Sequence, residues 1–270
     1  QTCALPIFAV FAQKMVKARR DALELASEVH ALEAREGEKR TLRLSLPMNL
    51  NRVTLISQIM TYEDRHPDVR VEISADSGLP ALIAGKTDVS LGSYYRPDPR
   101  LFALPAGICY SFIMATKKYE RKYGLPETIE DLKHHTILLR YTQNLGYSNK
   151  LENGTETYYI DRGHRVQHGD AAACREMLLA GEGLAIDLTP GFVSDYLASG
   201  FVFPVLKGWH REPWHYHVYC RAGSQDDKVL RELMAYVERG VFATFANQWQ
   251  FWYGKLGIPM PEGFVPQSKS

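Results

Sequence analysis

The chain has 270 residues, 45% apolar and 23% charged, a balance that excludes a disordered or fibrous protein. Its 32 Lys and Arg against 31 Asp and Glu give a net charge of +1, too even for a surface devoted wholly to nucleic acid. No apolar run reaches the roughly 18–20 residues of a membrane-spanning helix, and four cysteines without a Cys-x-x-Cys pair make neither a zinc site nor a disulfide framework.

Residues 1–7 read like the in-frame translation of a sequencing-library adapter end and are expected to be a non-native segment, with the natural protein extending further upstream. A short apolar run at 5–12 lacks the basic leader of a signal peptide. From Phe8 onward, Phe11, Met15, Ala18, Ala22, Leu25, Val29 and Leu32 recur at spacings of 3 and 4. That alternation keeps one seam of a helix turned toward a partner helix. Charged residues fill the other faces and Gly37 stops the run. A linker or dimerisation helix over 8–36 is therefore expected, about 40 Å long at 1.5 Å per residue. Its alternative is an amphipathic helix lying on its own domain, which Ala18 and Ala22 permit.

Residues 41–47 alternate apolar and polar and end at Pro47, a strand. Asn49 or Asn51 can cap the next helix, which carries Val53, Ile56, Ile59 and Met60 and ends near His66 and Pro67. A second strand at 69–75, a short helix at 79–84 closed by Gly85, and a third strand at 88–94 follow. Strand–helix–strand–helix–strand with short connections predicts a parallel α/β sheet, which binds ligands at the carboxyl ends of its strands.

Further on, 109–116 is strand-like, 125–132 gives a turn and short helix, 135–141 a strand, and 143–163 a polar hairpin or surface insertion. Asp170 or a neighbour caps a helix with Cys174, Met177, Leu178 and Leu179 that stops at Gly181. A strand at 183–188 precedes a helix opened by Pro190 at its favoured first position. The last strands fall at 201–206 and 216–221, and an amphipathic helix covers 226–240. Beyond it Phe242, Phe245, Trp249 and Trp252 recur at 3, 4, 3 spacing, an aromatic stripe for packing on its own lobe or for a subunit interface. Residues 260–270 read as a Pro-rich tail.

This order of segments resembles the linker helix and effector-binding region of LysR-type transcriptional regulators. The resemblance rests on the 41–47 strand after a Glu/Arg-rich linker, on Tyr62-Glu-Asp-Arg-His-Pro-Asp-Val69, on Leu82-Ile-Ala-Gly-Lys-Thr-Asp-Val89, and on the 126–132 segment before His135. Leu179-Ala-Gly-Glu-Gly-Leu-Ala-Ile186 and Tyr196-Leu-Ala-Ser-Gly-Phe-Val-Phe-Pro-Val205 complete it, so that it covers residues from about 10 to 240. It implies an α/β, two-lobed, periplasmic-binding-protein-like (type 2) effector domain over 41–240. Lobe I would hold about 41–117 and 222–240, lobe II about 118–221, and 241–270 would be an extension outside both. It also implies a small-molecule effector in the interlobe cleft and assembly as a homodimer or homotetramer. Operator DNA would be bound through a winged helix-turn-helix absent from this chain. The setting implied is a bacterial cytoplasm, with no membrane partner, no resident cofactor and no catalysis.

Strand ends and helix N-termini place the cleft. Met48, Asn49, Leu50 and Asn51 follow the first strand, and Ser93 and Tyr94 the third. In the second lobe Tyr141, Thr142 and Gln143 follow a strand, His168 and Asp170 precede a helix, and Asp187 and Thr189 follow the next strand. Family members often carry Ser or Thr after the first strand; Asn49 offers a donor and an acceptor instead, which leaves the effector's class open. Arg52, Arg96 and Arg140 are either carboxylate clamps or solvated loop residues. Asp170 and Asp187 argue against a purely anion-tuned site, so a small, partly aromatic or polar metabolite is expected.

His164, His168, His210, His215 and His217 lie near one another in sequence, but no Cys or carboxylate stands at ligand spacing, and they are read as surface histidines without a metal. Cys174 is read as a core thiol rather than a redox sensor. A periplasmic solute-binding protein of the same fold is the alternative function, and the 8–32 seam weighs against it. The chain by itself is expected not to bind operator DNA specifically. A gel shift at physiological salt checks this, and a sequence-specific shift would overturn it.

Overall fold

The computed structural model of the chain describes residues 4–33, 39–47, 52–75, 79–93, 98–141 and 149–261. Helix α1 (Ala4–Glu33) starts ahead of the expected Phe8, within the segment read as non-native. Met15, Leu25 and Val29 are all exposed on it, Leu25 by 62%.

The first sheet is built on β1 (Arg40–Ser45), flanked in parallel by β2 (Val69–Ser74) and β3 (Val89–Gly92). All four residues of β3, the middle strand of the sheet, are buried, as a strand covered on both faces should be. The sheet continues through β13 (Trp214–Arg221) to β4 (Leu101–Cys109), with β13 antiparallel to both neighbours. Helix α2 (Arg52–Arg65) covers this sheet with Leu55, Ile59 and Tyr62, which follow one another at helical spacing. Of the apolar residues read on this helix, Val53 and Met60 are exposed; the helix carries two apolar stripes, and the one ending in the larger Tyr62 is covered. Short α3 (Leu79–Ile83) leads into β3.

The second sheet has the order β11 (Val202–Pro204), β5 (Met114–Thr116), β10 (Leu184–Ala185), β6 (Thr136–Arg140), β9 (Arg165–Gly169). Strands β6, β9 and β10 are parallel, while β5 runs against β10 and β11. Helix α4 (Lys117–Tyr123) is capped by the Thr116 hydroxyl, which accepts from Tyr119 N at 3.2 Å. A 3-10 helix follows at Ile129–His134, its entry fixed by Asp131 Oδ2 accepting from Thr128 N at 2.8 Å. Helix α5 (Ala171–Ala180) begins as expected at Asp170, whose Oδ1 accepts from Ala173 N at 2.8 Å, and ends at Gly181 with φ +74°. Pro190 opens a 3-10 turn, Pro190–Val193, that runs on into α6 (Ser194–Ala198). The polar insertion is a hairpin of β7 (Lys150–Asn153) and β8 (Glu156–Tyr159), joined by β12 (His210–Arg211).

Several expected boundaries move. Cys109 ends β4 instead of starting a strand, and residues 110–113 cross from one sheet to the other before β5. The strand at 214–221 belongs to the first sheet, not to lobe II, and 114–116 belongs to the second, not to lobe I. Local pattern shows that a segment is a strand; which sheet takes it is decided by pairing with residues about a hundred positions away, such as Val218 with Leu104.

The last helix differs most. It does not stop at Gly240: α7 (Lys228–Leu256) is continuous, capped by Asp227, whose Oδ1 accepts from Val229 N at 3.0 Å, and closed by Gly257. Gly240 is a point of close approach, since a Cβ there would sit 2.0 Å from Gln58 Oε1 on α2. The first half of α7 buries Leu230, Leu233, Met234, Val237 and Val241 in the first lobe's core. The second half buries Trp249, Trp252 and Tyr253 among Tyr110, Phe112 and Leu188 in the second lobe's core. The aromatic stripe thus packs within its own chain, although the side chains of Phe242 and Phe245 lie outside the described residues.

Two glycines test this packing with opposite signs. A Cβ on buried Gly183 would lie 2.7 Å from Leu138 Cδ2 and 2.8 Å from the Thr136 carbonyl oxygen, whereas one on Gly254 of α7 meets nothing within 4 Å. Gly183→Ala is expected to cost roughly 1–3 kcal/mol by overpacking, and Gly254→Ala to gain up to about 1 kcal/mol from helix propensity. Urea midpoints at constant slope read both.

Candidate functional site

The carboxyl ends of the parallel strands of both sheets face one junction. Arg140 is the last residue of β6, and Asp187 lies two residues past β10. Arg211 ends β12 on the second crossover, and Trp214 starts β13. Because β13 is antiparallel to β3 and His217 pairs with Gly92, Trp214 lies beyond the carboxyl end of β3. The first lobe's sheet therefore contributes the indole and the second lobe the charges.

Asp187 Oδ2 accepts from the Arg140 backbone N–H at 3.1 Å, stands 3.4 Å from Arg140 Nε, and accepts from Arg211 Nη1 at 2.5 Å. The Arg140 guanidinium lies 4.4 Å from the centroid of the Trp214 ring, and that of Arg211 at 5.4 Å, within cation–π range. Exposure is 5% for Arg140, 0% for Asp187 and 2% for Arg211. Two guanidiniums thus share one carboxylate away from water. Among the described residues, Arg140 Nη2, Arg211 Nε, Trp214 Nε1 and Asp187 Oδ1 are buried without a hydrogen-bond partner. At the carboxyl end of β1, the Ser45 and Ser90 hydroxyls are also buried without partners on residues paired in register.

Of the residues expected to line the cleft, Asp187 is the centre of this group, Thr189 is buried two residues further on, and Ser93 is half-buried at the end of β3. Tyr141 and His168 are exposed, and the Asp170 carboxylate is engaged as the α5 cap. Met48, Asn49, Leu50, Asn51, Tyr94, Arg96, Thr142 and Gln143 lie outside the described residues, as does the side chain of Arg52. Of the two readings of Arg140 the solvated one is overturned, because Asp187 and Trp214 hold it under cover. Asp187 does not oppose an anion either, since it offsets only one of two arginines. Arg211 and Trp214 were missed: no spacing links them to Arg140, and only the fold brings them together.

The thiols are core groups. Cys109, Cys174 and Cys220 are buried, and burial pushes each pKa up to about 12. At Cys174 desolvation, with the Asp187 carboxylate beside it, outweighs the positive field of Arg140. The histidines have local partners: His135 with Tyr119 at 2.9 Å, and His164 with Tyr158 at 2.7 Å. Among the described residues no three His, Cys, Asp or Glu side chains group as metal ligands do, and no helix is long and apolar enough to cross a membrane. On α1, Ala18 and Ala22 are exposed along with Met15, Leu25 and Val29; the side chains of Phe11 and Leu32 lie outside the described residues.

The family model of the LysR substrate binding domain matches residues 35–241, from before β1 to the middle of α7, with the whole Arg140–Asp187–Arg211 group inside. The chain belongs to the LysR substrate-binding-domain family. An HTH-type transcriptional regulator of Xanthomonas campestris pv. campestris is 26% identical over 208 residues, 74% of this chain and 59% of that protein. The chain therefore spans less than two thirds of that relative's length. The regulatory domain of CrgA, a LysR-type transcriptional regulator from Neisseria meningitidis, superposes with a TM-score of 0.61 at 20% identity, over 74% of this chain and 98% of that one. The regulatory domain of AphB from Vibrio vulnificus does so at 0.58 and 22%, over 73% and 97%. The LysR domain here thus has the two-lobed, type 2 periplasmic-binding-protein-like α/β fold. Trp249, Trp252 and Tyr253 lie beyond the family match.

Asp187→Asn keeps shape and removes the one negative charge between two buried guanidiniums. A loss of about 3–5 kcal/mol is expected, measured by urea unfolding near pH 7; a loss below about 1 kcal/mol would show that water reaches the group.

Proposed function

We propose that this chain is the effector-sensing and oligomerising part of a LysR-type transcriptional regulator of a bacterial cytoplasm, acting without catalysis. The observation that carries the reading is the buried Arg140–Asp187–Arg211 group against Trp214, at the carboxyl ends of strands from both lobes. Parallel α/β sheets bind small molecules at such ends. An effector there touches both lobes and shifts their relation only as far as its affinities for the two arrangements differ.

Met48, Asn49, Leu50, Asn51, Ser93 and Tyr94 from the first lobe, with Tyr141, Thr142, Gln143, His168 and Thr189 from the second, form the proposed contact set. Asp170 holds α5 at its edge, and Asp187 holds the floor. The exposed seam of Met15, Ala18, Ala22, Leu25 and Val29 supports pairing of α1 with a second copy, giving a homodimer or homotetramer. Operator DNA is proposed to be read by a winged helix-turn-helix of the longer protein. A periplasmic solute-binding protein has no use for that seam.

Two measurements test the reading. Leu25→Asp with Val29→Asp should convert a dimer to a monomer by light scattering while the circular dichroism of the sheets is kept; a wild-type chain that stays monomeric at tens of micromolar removes the oligomerising role. Fused behind a winged helix-turn-helix of known operator, the chain should make a reporter respond to ligands that raise its melting temperature. A reporter deaf to every such ligand removes the sensing role.

A further inference from the structure

We propose that the buried group at the lobe junction takes the carboxylate of the effector, so that the ligand is a small organic monoanion bound by Arg140, Arg211 and Trp214. This names the ligand class of the site assigned above and rests on that assignment.

Charge comes first. Arg140 and Arg211 bring two positive charges and Asp187 one negative, with at most 5% exposure on any of them. An uncompensated charge out of water costs several kcal/mol. The thiols of Cys109 and Cys174, near enough to feel Arg140, are held protonated by burial and supply no counter-charge. One further negative charge balances the group. A neutral ligand leaves it short, and a dianion exceeds it.

Hydrogen bonding gives the same answer. The buried unmatched atoms are donors on Arg140, Arg211 and Trp214, against a single acceptor, Asp187 Oδ1. A carboxylate is acceptor-only and can take several donors at once. A hydroxyl next to it would give Asp187 Oδ1 its donor, so a 2-hydroxy acid fits better than the plain acid. Arg140 lies on the Trp214 face, which fixes the plane of its guanidinium, and a planar carboxylate needs a fork held in one plane.

The test is calorimetric titration of the 270-residue chain near pH 7.5, free of carboxylate and phosphate buffers. The probes are benzoate, mandelate, benzamide and phthalate. Benzoate and mandelate are expected to bind one per chain, mandelate the tighter, with benzamide and phthalate at least tenfold weaker. Trp214→Phe keeps the ring beneath Arg140 and removes one donor; it should weaken benzoate roughly three- to tenfold with little change in melting temperature. Arg211→Lys should weaken it further. Benzamide binding as well as benzoate, or neither acid binding at 10 mM, overturns the proposal. So does acid binding indifferent to both substitutions, or equal displacement of both acids by chloride, which marks a generic anion site. A neutral metabolite whose binding is lost in Trp214→Phe would overturn the anion class yet leave the cleft reading standing. Trp214-dependent benzoate binding with a silent reporter fusion supports the anion class and sinks the sensor reading.

Discussion

A carboxylate without access to water ties the molecule together. Asp187 accepts from the Arg140 backbone, lies against its side chain, and accepts from Arg211 on the returning crossover. Arg140 in turn lies on Trp214, the first residue of the strand that re-enters the first sheet. The chain from β10 to β6 to β12 to β13 is thus linked by one charge, and the lobes meet at a polar contact set in apolar surroundings. Such a group contributes little net stability compared with a well-packed apolar substitute. Its physical consequence is sensitivity: removing one charge there is expected to cost about 3–5 kcal/mol, a large fraction of a protein's whole stability.

The apolar counterpart is α7. It enters the first lobe at Asp227, which pairs with Arg40 at the start of β1 and caps the helix. It leaves the second lobe at Tyr253, whose hydroxyl donates to the Ser111 carbonyl on the first crossover at 3.1 Å. Trp249 lies 4.6 Å from Tyr110, also on that crossover. Two tryptophans and a tyrosine bury roughly 150–250 Å² each, worth at most about 11–19 kcal/mol at ~25 cal/mol per Å². A micromolar ligand brings about 8 kcal/mol. A ligand bound at the proposed site would therefore not detach α7, and any movement between lobes would be confined to what a continuous helix packed on both can follow.

What was legible in the sequence follows the range of the interactions involved. Strands β1 to β3 were readable because alternation and a closing Pro are local. So was α5, because Asp170 and Gly181 mark its ends by their own chemistry. Strand β9 was missed because Arg-Val-Gln-His-Gly carries one apolar residue and is a strand only by pairing with β6. Gly240 read as a stop because glycine usually ends helices, whereas here it admits Gln58 of a neighbouring helix. Asp187 and Thr189 were singled out by strand-end position and Arg140 by its charge, but the surroundings that bury Arg140 include Arg211 and Trp214, more than 70 residues away. Charge balance in a buried group is a tertiary property, and no one-dimensional spacing encodes it.

The same junction explains why the cysteines are silent. Arg140 favours the thiolate of both Cys109 and Cys174, and α5 begins just before Cys174. Were Cys109 open to water, Arg140 would lower its pKa and make it reactive; at Cys174 the Asp187 carboxylate opposes Arg140 as well. Burial wins instead, because a thiolate placed there would lose its hydration while Arg140 already has Asp187 as a partner. The residual positive charge is shared between two guanidiniums over an indole face, where it is stabilised without ionising a neighbour. A surplus charge kept in this way, instead of being spent on a nearby thiol, is what the proposed anionic ligand would meet.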